Sequence, residues 1–118
     1  MYVIDTLFPD CEPQYRSRIY FGLGQNGQVK IGLTSRKDGR RGGEMHFTEL
    51  CCVPGDRLAE ARYHAQYAAC RIGRTEWFYL TDQLLTELLV MCVQQGRTRS
   101  METLKGIILG RLQHQAAA

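Results

Sequence analysis

Residues 19–34 read IYFGLGQNGQVKIGLT, and how this stretch is divided decides the fold. Gly22, Gly24 and Gly27 have the G-x-G-x-x-G spacing of a dinucleotide-binding turn. That motif needs a helix opening on its last glycine, where free N–H groups receive the pyrophosphate. Here Val29, Ile31 and Leu33 alternate instead with Lys30, Gly32 and Thr34, a period of two that belongs to a strand. Ile19, Phe21 and Leu23 alternate in the same way with Tyr20 and Gly22. Between the two runs lies Gln25-Asn26-Gly27, and Asn-Gly is a strong hairpin signal because both residues tolerate positive φ. The stretch is expected to be a β-hairpin over about residues 18–34, not a nucleotide cradle.

Outward from the hairpin, residues 1–17 carry Pro9, Pro13 and several acids and read as an irregular arm, with a short strand at residues 2–4. SRKDGRRGGEM (residues 35–45) has three glycines and reads as a loop or at most a short, frayed helix. FTELCCV (residues 47–53) is a third strand, stopped by Pro54-Gly55. Asp56 is placed to cap a helix to about Arg71, on which Leu58, Ala61, Ala65 and Ala68 form a narrow apolar stripe. EWFYL (residues 76–80) is a short strand or an ordered turn. Thr81 or Asp82 caps a second helix to about Gln95, with Leu84, Leu85, Leu88, Met91 and Cys92 on its buried side. Residues 96–99 are a basic connector. Ser100 caps a final helix with Leu104, Ile107, Ile108 and Leu112 in phase, and its HQAAA end is expected to fray. This order predicts a small α+β domain: a three-stranded antiparallel sheet, made of the hairpin and the third strand, flanked by helices. The domain proper spans about residues 18–95, and the C-terminal helix of residues 96–118 packs on it.

The 118 residues, 44% hydrophobic and 23% charged, match one ordinary globular domain able to bury its own core. The start, MYVIDTLFPD, lacks the basic and apolar regions of a signal peptide, and runs such as LLVMCV are too short to span a bilayer. Cys11, Cys51, Cys52, Cys70 and Cys92 form no Cys-x-x-Cys pair, the pattern of reduced thiols in a cytoplasmic protein. Adjacent Cys51 and Cys52 should face opposite sides of their strand. With three scattered histidines, a zinc site is not expected. The net charge is only +3, but twelve arginines stand against three lysines. Arg36, Lys37, Arg40 and Arg41 fall within one short loop. Such a cluster is either a solvated loop or a contact for a nucleic-acid phosphate backbone, which planar arginine forks suit.

Four motifs occur in a telling order: Tyr20 on the first strand, Val29-Lys30-Ile31-Gly32-Leu33-Thr34 on the second, Glu60-Ala61-Arg62-Tyr63-His64 on the first helix, and Glu76-Trp77-Phe78. With Arg40 and Arg41 between the second and third, the pattern covers roughly residues 18–80. It resembles the GIY-YIG nuclease superfamily, within it the phage-associated subgroup described as phage T5-type DNA-binding domains. The resemblance implies an endonuclease that hydrolyses phosphodiester bonds, most naturally in DNA, with one divalent metal, Mg²⁺ or Mn²⁺. It implies a role for each matching position: Tyr20 or Lys30 activates the attacking water, Arg40 or Arg41 neutralises the scissile phosphate, with Arg36 a third candidate, and Glu60 holds the metal. His64 is a second partner, a proton shuttle or a core histidine. The chain departs from the family pattern where glycines interrupt the arginine segment, and it has no counterpart of a late asparagine found in several members.

The chemistry of these residue types agrees with that set. Phosphodiester hydrolysis needs positive charge on the non-bridging oxygens and a proton acceptor near the water. Mg²⁺ is commonly held by one or two carboxylates, so a single glutamate suffices. Glu60 and His64, four residues apart, share a helix face, and Tyr67 and Arg71 continue it as a polar strip able to meet the hairpin. Trp77 and Phe78 read as core anchors, with Glu76 a hydrogen-bonded brace and not a metal ligand. Gly22 and Gly32 are expected to leave open space above Tyr20 and Lys30 for a phosphate backbone. The alternatives are a non-catalytic DNA- or RNA-binding module on the same fold, and a homodimeric interaction protein joined through its C-terminal helices.

Overall fold

The computed structural model describes residues 17–34 and 47–117. The expected N-terminal arm, with its short strand and Cys11, lies outside the described residues, and so does the loop carrying Arg36, Lys37, Arg40 and Arg41.

The protein is an α+β domain. Strands β1 (Arg18–Gly24), β2 (Val29–Thr34) and β3 (Phe47–Pro54) precede helix α1 (Arg57–Gln66), a 3₁₀ turn at Ala68–Cys70, and the two-residue strand β4 (Trp77–Phe78). Helices α2 (Asp82–Gln94) and α3 (Thr98–Ala117) follow. The sheet is antiparallel in the order β3-β1-β2-β4, so the EWFYL segment adds a fourth, edge strand to the expected three.

The hairpin forms as its alternation requires, but its turn differs in kind. Gly27 N–H donates to Gly24 O at 3.0 Å and Gly24 N–H to Gln28 O at 2.8 Å, while Gly27 alone has positive φ, 82°. This is a three-residue loop in which a glycine relieves the left-handed position, not the two-residue turn that needs positive φ twice. Asn26 instead uses its side chain, accepting from Gln28 N–H at 3.1 Å.

The pleat sends Ile19, Phe21, Val29 and Ile31 to one face, all fully buried against Leu84, Leu85 and Leu88 of α2 and Leu104 of α3. Each such side chain contributes roughly 1.5–3 kcal/mol by leaving water. A bulge in β3 follows from the pairing, since Phe21 opposes Cys51 while the next residue, Gly22, opposes Glu49. The extra residue, Leu50, joins Cys51 in this core. Cys52 turns to the other face with Tyr20 and Phe47, so the neighbouring cysteines do point apart. Cys51, Cys52, Cys70 and Cys92 are free thiols, all buried.

The helices depart from expectation in informative ways. The stripe expected on α1 faces outward: Leu58 is 60% exposed and Ala61, Ala65 and Ala68 are exposed too. The inward side carries Ala59, Tyr63 and His64, with the Phe21 and Tyr63 rings edge to face at 5.3 Å. Alanine spacing misleads here because alanines cover little area, whereas tyrosine and histidine bring larger bodies with a polar tip. The helix ends at Gln66 rather than near Arg71 because the following backbone is used elsewhere. Cys70 O accepts from Tyr79 N–H and Ile72 N–H donates to Trp77 O, at 2.8 and 2.9 Å, a ladder a helix cannot supply. Arg71 therefore leaves the polar strip, donating to Thr75 O at 2.8 Å.

Helix α2 is capped by Thr81, whose hydroxyl accepts from Leu84 N–H, and buries Leu84, Leu85, Leu88 and Cys92, with Met91 only half-buried. Helix α3 begins at Thr98, before Ser100, and runs to Ala117, so residues 114–117, expected to fray, are helical. Ser100 instead donates to Leu50 O at 2.7 Å, fastening the helix to β3. Leu104 is fully buried and Ile107 and Ile108 pack beside it, but Leu112 is 55% exposed. No helix among the described residues is long and apolar enough to cross a membrane.

Candidate functional site

Four of the sequence-selected residues converge on strand β2, reached from three separate elements. Lys30 leaves β2 on the face opposite the helices, where its ammonium lies 3.9 Å from Glu76 Oε1. The backbone of Glu76 serves the same strand, its carbonyl accepting from Ile31 N–H at 2.9 Å. From α1, His64 Nε2 reaches Ile31 O at 2.9 Å, and the imidazole leans on the Phe78 ring at 5.3 Å. One turn earlier on the same helix, Glu60 stands near enough to Glu76 for the neighbouring charge to act on its carboxyl. Lys30, Glu76, Glu60 and His64 thus form a continuous polar line along the β2 edge. The Glu76 backbone is the brace its position suggested, but its side chain is a full member of this line. Sequence spacing did not reveal that, because the approach to Glu60 crosses sixteen residues and exists only once β4 pairs with β2.

Electrostatics at Glu60 are distinctive. Burial, then the neighbouring Glu76 charge, push its carboxyl above the usual carboxylate range, with His64 and Arg57 opposing. Its Oε2 is buried and has no hydrogen-bond partner. A half-buried carboxylate with a spare oxygen beside a second carboxylate is a donor set for a hard cation. Glu60, with Glu76 beside it, is where one Mg²⁺ would find oxygen donors, so Glu76 stands nearer a metal position than a pure brace would. Among the described residues no group of three or more His, Cys, Asp and Glu side chains gathers to form a fuller metal cage.

Tyr20 is placed on the same sheet face as Lys30, but the space around it is filled. Its ring stacks on Phe47 at 5.3 Å with planes 3° apart, and Phe47 meets Trp77 edge to face at 6.5 Å. Lys30 Nζ lies 5.5 Å from the Phe47 ring centre and 6.0 Å from that of Trp77, within cation–π range. The glycines do not hold a void open. A Cβ on Gly32 would overlap the Tyr20 hydroxyl and ring, and one on Gly22 would overlap Phe47. On Gly24 it would come 2.8 Å from Trp77 Cζ3. The expectation of open space above Tyr20 and Lys30 is thus corrected: glycines opposite aromatic residues let the rings lie flat on the sheet. Tyr20 ends only 4% exposed.

Comparison of the chain with protein-family models, with curated proteins and with solved structures finds no match in any of the three.

Proposed function

We propose that the β2 edge is the active site of a divalent-metal-dependent endonuclease acting on nucleic acid, with DNA the expected substrate. One observation carries this reading: Glu76 and His64, from separate segments, meet β2 at Lys30 and Ile31, with Glu60 beside them on the His64 helix. A cation held by Glu60, with Glu76 beside it, would supply positive charge to the phosphate oxygens. Lys30 orients or activates the attacking water, its ammonium steadied by Glu76 and by the electron-rich faces of Phe47 and Trp77. His64, anchored on Ile31 O through Nε2, keeps its other ring nitrogen for proton exchange. Tyr20 is assigned the water-activating role by the resemblance, and a tyrosine so enclosed acts through its hydroxyl tip at Gly32. Arg40 or Arg41, or Arg36, would neutralise the scissile phosphate, and with Lys37 would draw the strand in.

The enclosure of Tyr20 favours a second reading, a nucleic-acid-binding module on the same fold without turnover. Labelled single- and double-stranded DNA and RNA, incubated with Mg²⁺, Mn²⁺ or EDTA, separate the two. Metal-dependent cutting that falls at least about a hundredfold in Glu60→Ala is expected, the scale of losing one major electrostatic stabiliser. Salt-sensitive binding that survives in the variant, with no cutting by either protein, would leave the binding module.

A further inference from the structure

Of the two aromatic residues expected as core anchors, only Phe78 is fully buried. Trp77 is half-buried and packs with Tyr20 and Phe47 on the sheet face away from the helices. Its indole walls a pocket of about 260 Å³ together with Gly24, Gln25 and Asn26 of the hairpin turn. That is smaller than the cavities that enclose drug-sized ligands, roughly 300–1,000 Å³, and it suits one flat ring system.

The indole is set in place from three sides. Its Cζ3 and Cη2 atoms come 2.8 and 3.0 Å from where a Cβ on Gly24 would stand, so the six-membered ring rests on glycine backbone. Phe47 meets it edge to face at 6.5 Å, and Lys30 Nζ lies 6.0 Å from its centre. A side chain already held in one orientation loses little freedom when a second ring stacks on it.

The turn supplies polar groups at the rim. Asn26 Nδ2 donates to Gln28 Oε1 at 2.9 Å, and Asn26 Oδ1 accepts from Gln28 N–H at 3.1 Å. The amide is thereby fixed and keeps one N–H and one lone pair for a ligand. The exposed Gln25 amide lies on the same pocket wall. A flat π surface rimmed by amide donors and acceptors matches a nucleobase, which offers a π face and a hydrogen-bonding edge. Lys30, close to the indole and part of the β2 line, suits the phosphate that accompanies the base. A bare phosphate or sulfate has no π face and gains nothing from the indole.

We infer that Trp77 is a stacking platform for one unpaired base of the strand that the β2 edge engages, with the Gln25 and Asn26 amides at the edge of that base. The choice of ligand rests on the nucleic-acid reading of the β2 edge, to which the platform adds a substrate class. Bases inside a duplex are already stacked on their neighbours, so the site favours single strands or splayed ends over intact duplex.

Trp77 is the one tryptophan of the chain, so its intrinsic fluorescence reports this pocket directly. The full chain is titrated in EDTA, where no metal-dependent turnover enters. The titrants are oligothymidylate, an abasic oligomer of the same length and charge, a blunt duplex and inorganic phosphate. Oligothymidylate is expected to quench the emission and to bind at least about fivefold tighter than the abasic oligomer, the lower end of what one stacked base contributes. The duplex should bind more weakly than the single strand, and phosphate should leave the emission unchanged. By anisotropy of labelled oligothymidylate, Trp77→Leu should bind at least about fivefold more weakly, while Trp77→Phe, which still presents a ring, keeps most of the affinity. Equal affinity for oligothymidylate and the abasic oligomer overturns the inference without any variant. So does bound oligothymidylate that leaves the emission unchanged, or a duplex bound as tightly as the single strand. Cutting is scored separately in Mg²⁺. Cutting without quenching removes the platform and leaves the nuclease reading, whereas quenching without cutting keeps the platform on a binding module.

Discussion

Glu60 shows how a single side chain is redefined by its surroundings. On an isolated helix it would be an ordinary solvated acid; in the fold, burial and Glu76 raise its pKa. An acid whose pKa rises on folding supports the native state fully below its unfolded value, about 4.3 for glutamate, and opposes it as pH climbs through the raised one. Glu60→Gln should therefore melt at a higher temperature than the wild type at pH 7–8, with the advantage vanishing at about pH 4 and below. Equal melting at pH 7 would mean that Glu60 is as well solvated in the fold as in the unfolded chain. The same neighbourhood pins Lys30, whose partners are an acid and two rings rather than open solvent.

At the scale of elements, the hairpin is held on both faces by different chemistry. One face is aliphatic and packs on helices; the other is a row of glycines roofed by Tyr20, Phe47 and Trp77. Strand pairing sets that row, since Tyr20 opposes Gly32 and Gly24 opposes Phe47. Gly32→Val should cost stability by at least about 1–3 kcal/mol, the scale of overpacking, read as a lower denaturant midpoint. A midpoint within error of the wild type would show that Tyr20 moves aside freely. Helix α1 illustrates the converse: its outward alanines are replaceable, while Tyr63 and His64 tie it to Phe21 and β2.

For the whole molecule, one core joins the sheet to α2 and α3, with Leu104 as the fully buried contribution of α3. Arg111 adds a polar clasp at the other end of the contact, donating to Asp82 Oδ1 at 2.6 Å and to Leu80 O. Leu104→Ala should lower unfolding free energy by about 2–5 kcal/mol, measured by urea denaturation with sheet and helix signals lost together. Loss of helix signal alone, with the sheet intact, would make α3 an independent appendage. Because Ser100 fastens the same helix to β3 at its N-terminus, the core that holds α3 also keeps that contact in place.

The sequence by itself determined the hairpin, β3, the apolar side of α2 and the α+β class, because period-two alternation, Gly-Pro punctuation and a leucine stripe are local signals that tertiary packing reinforced. It also placed Glu60 and His64 on one helix face, since that depends only on helical pitch. Only the tertiary structure decided which face of α1 turns inward, because small alanines lose to the larger tyrosine and histidine when area is buried. It decided that the glycines seat aromatic rings, because the rings come from β1, β3 and β4 and meet only after the strands pair. The membership of Glu76 in the polar line and the seating of Trp77 over Gly24 have the same origin. Both depend on contacts between residues far apart in the chain, and no spacing rule within one element encodes them.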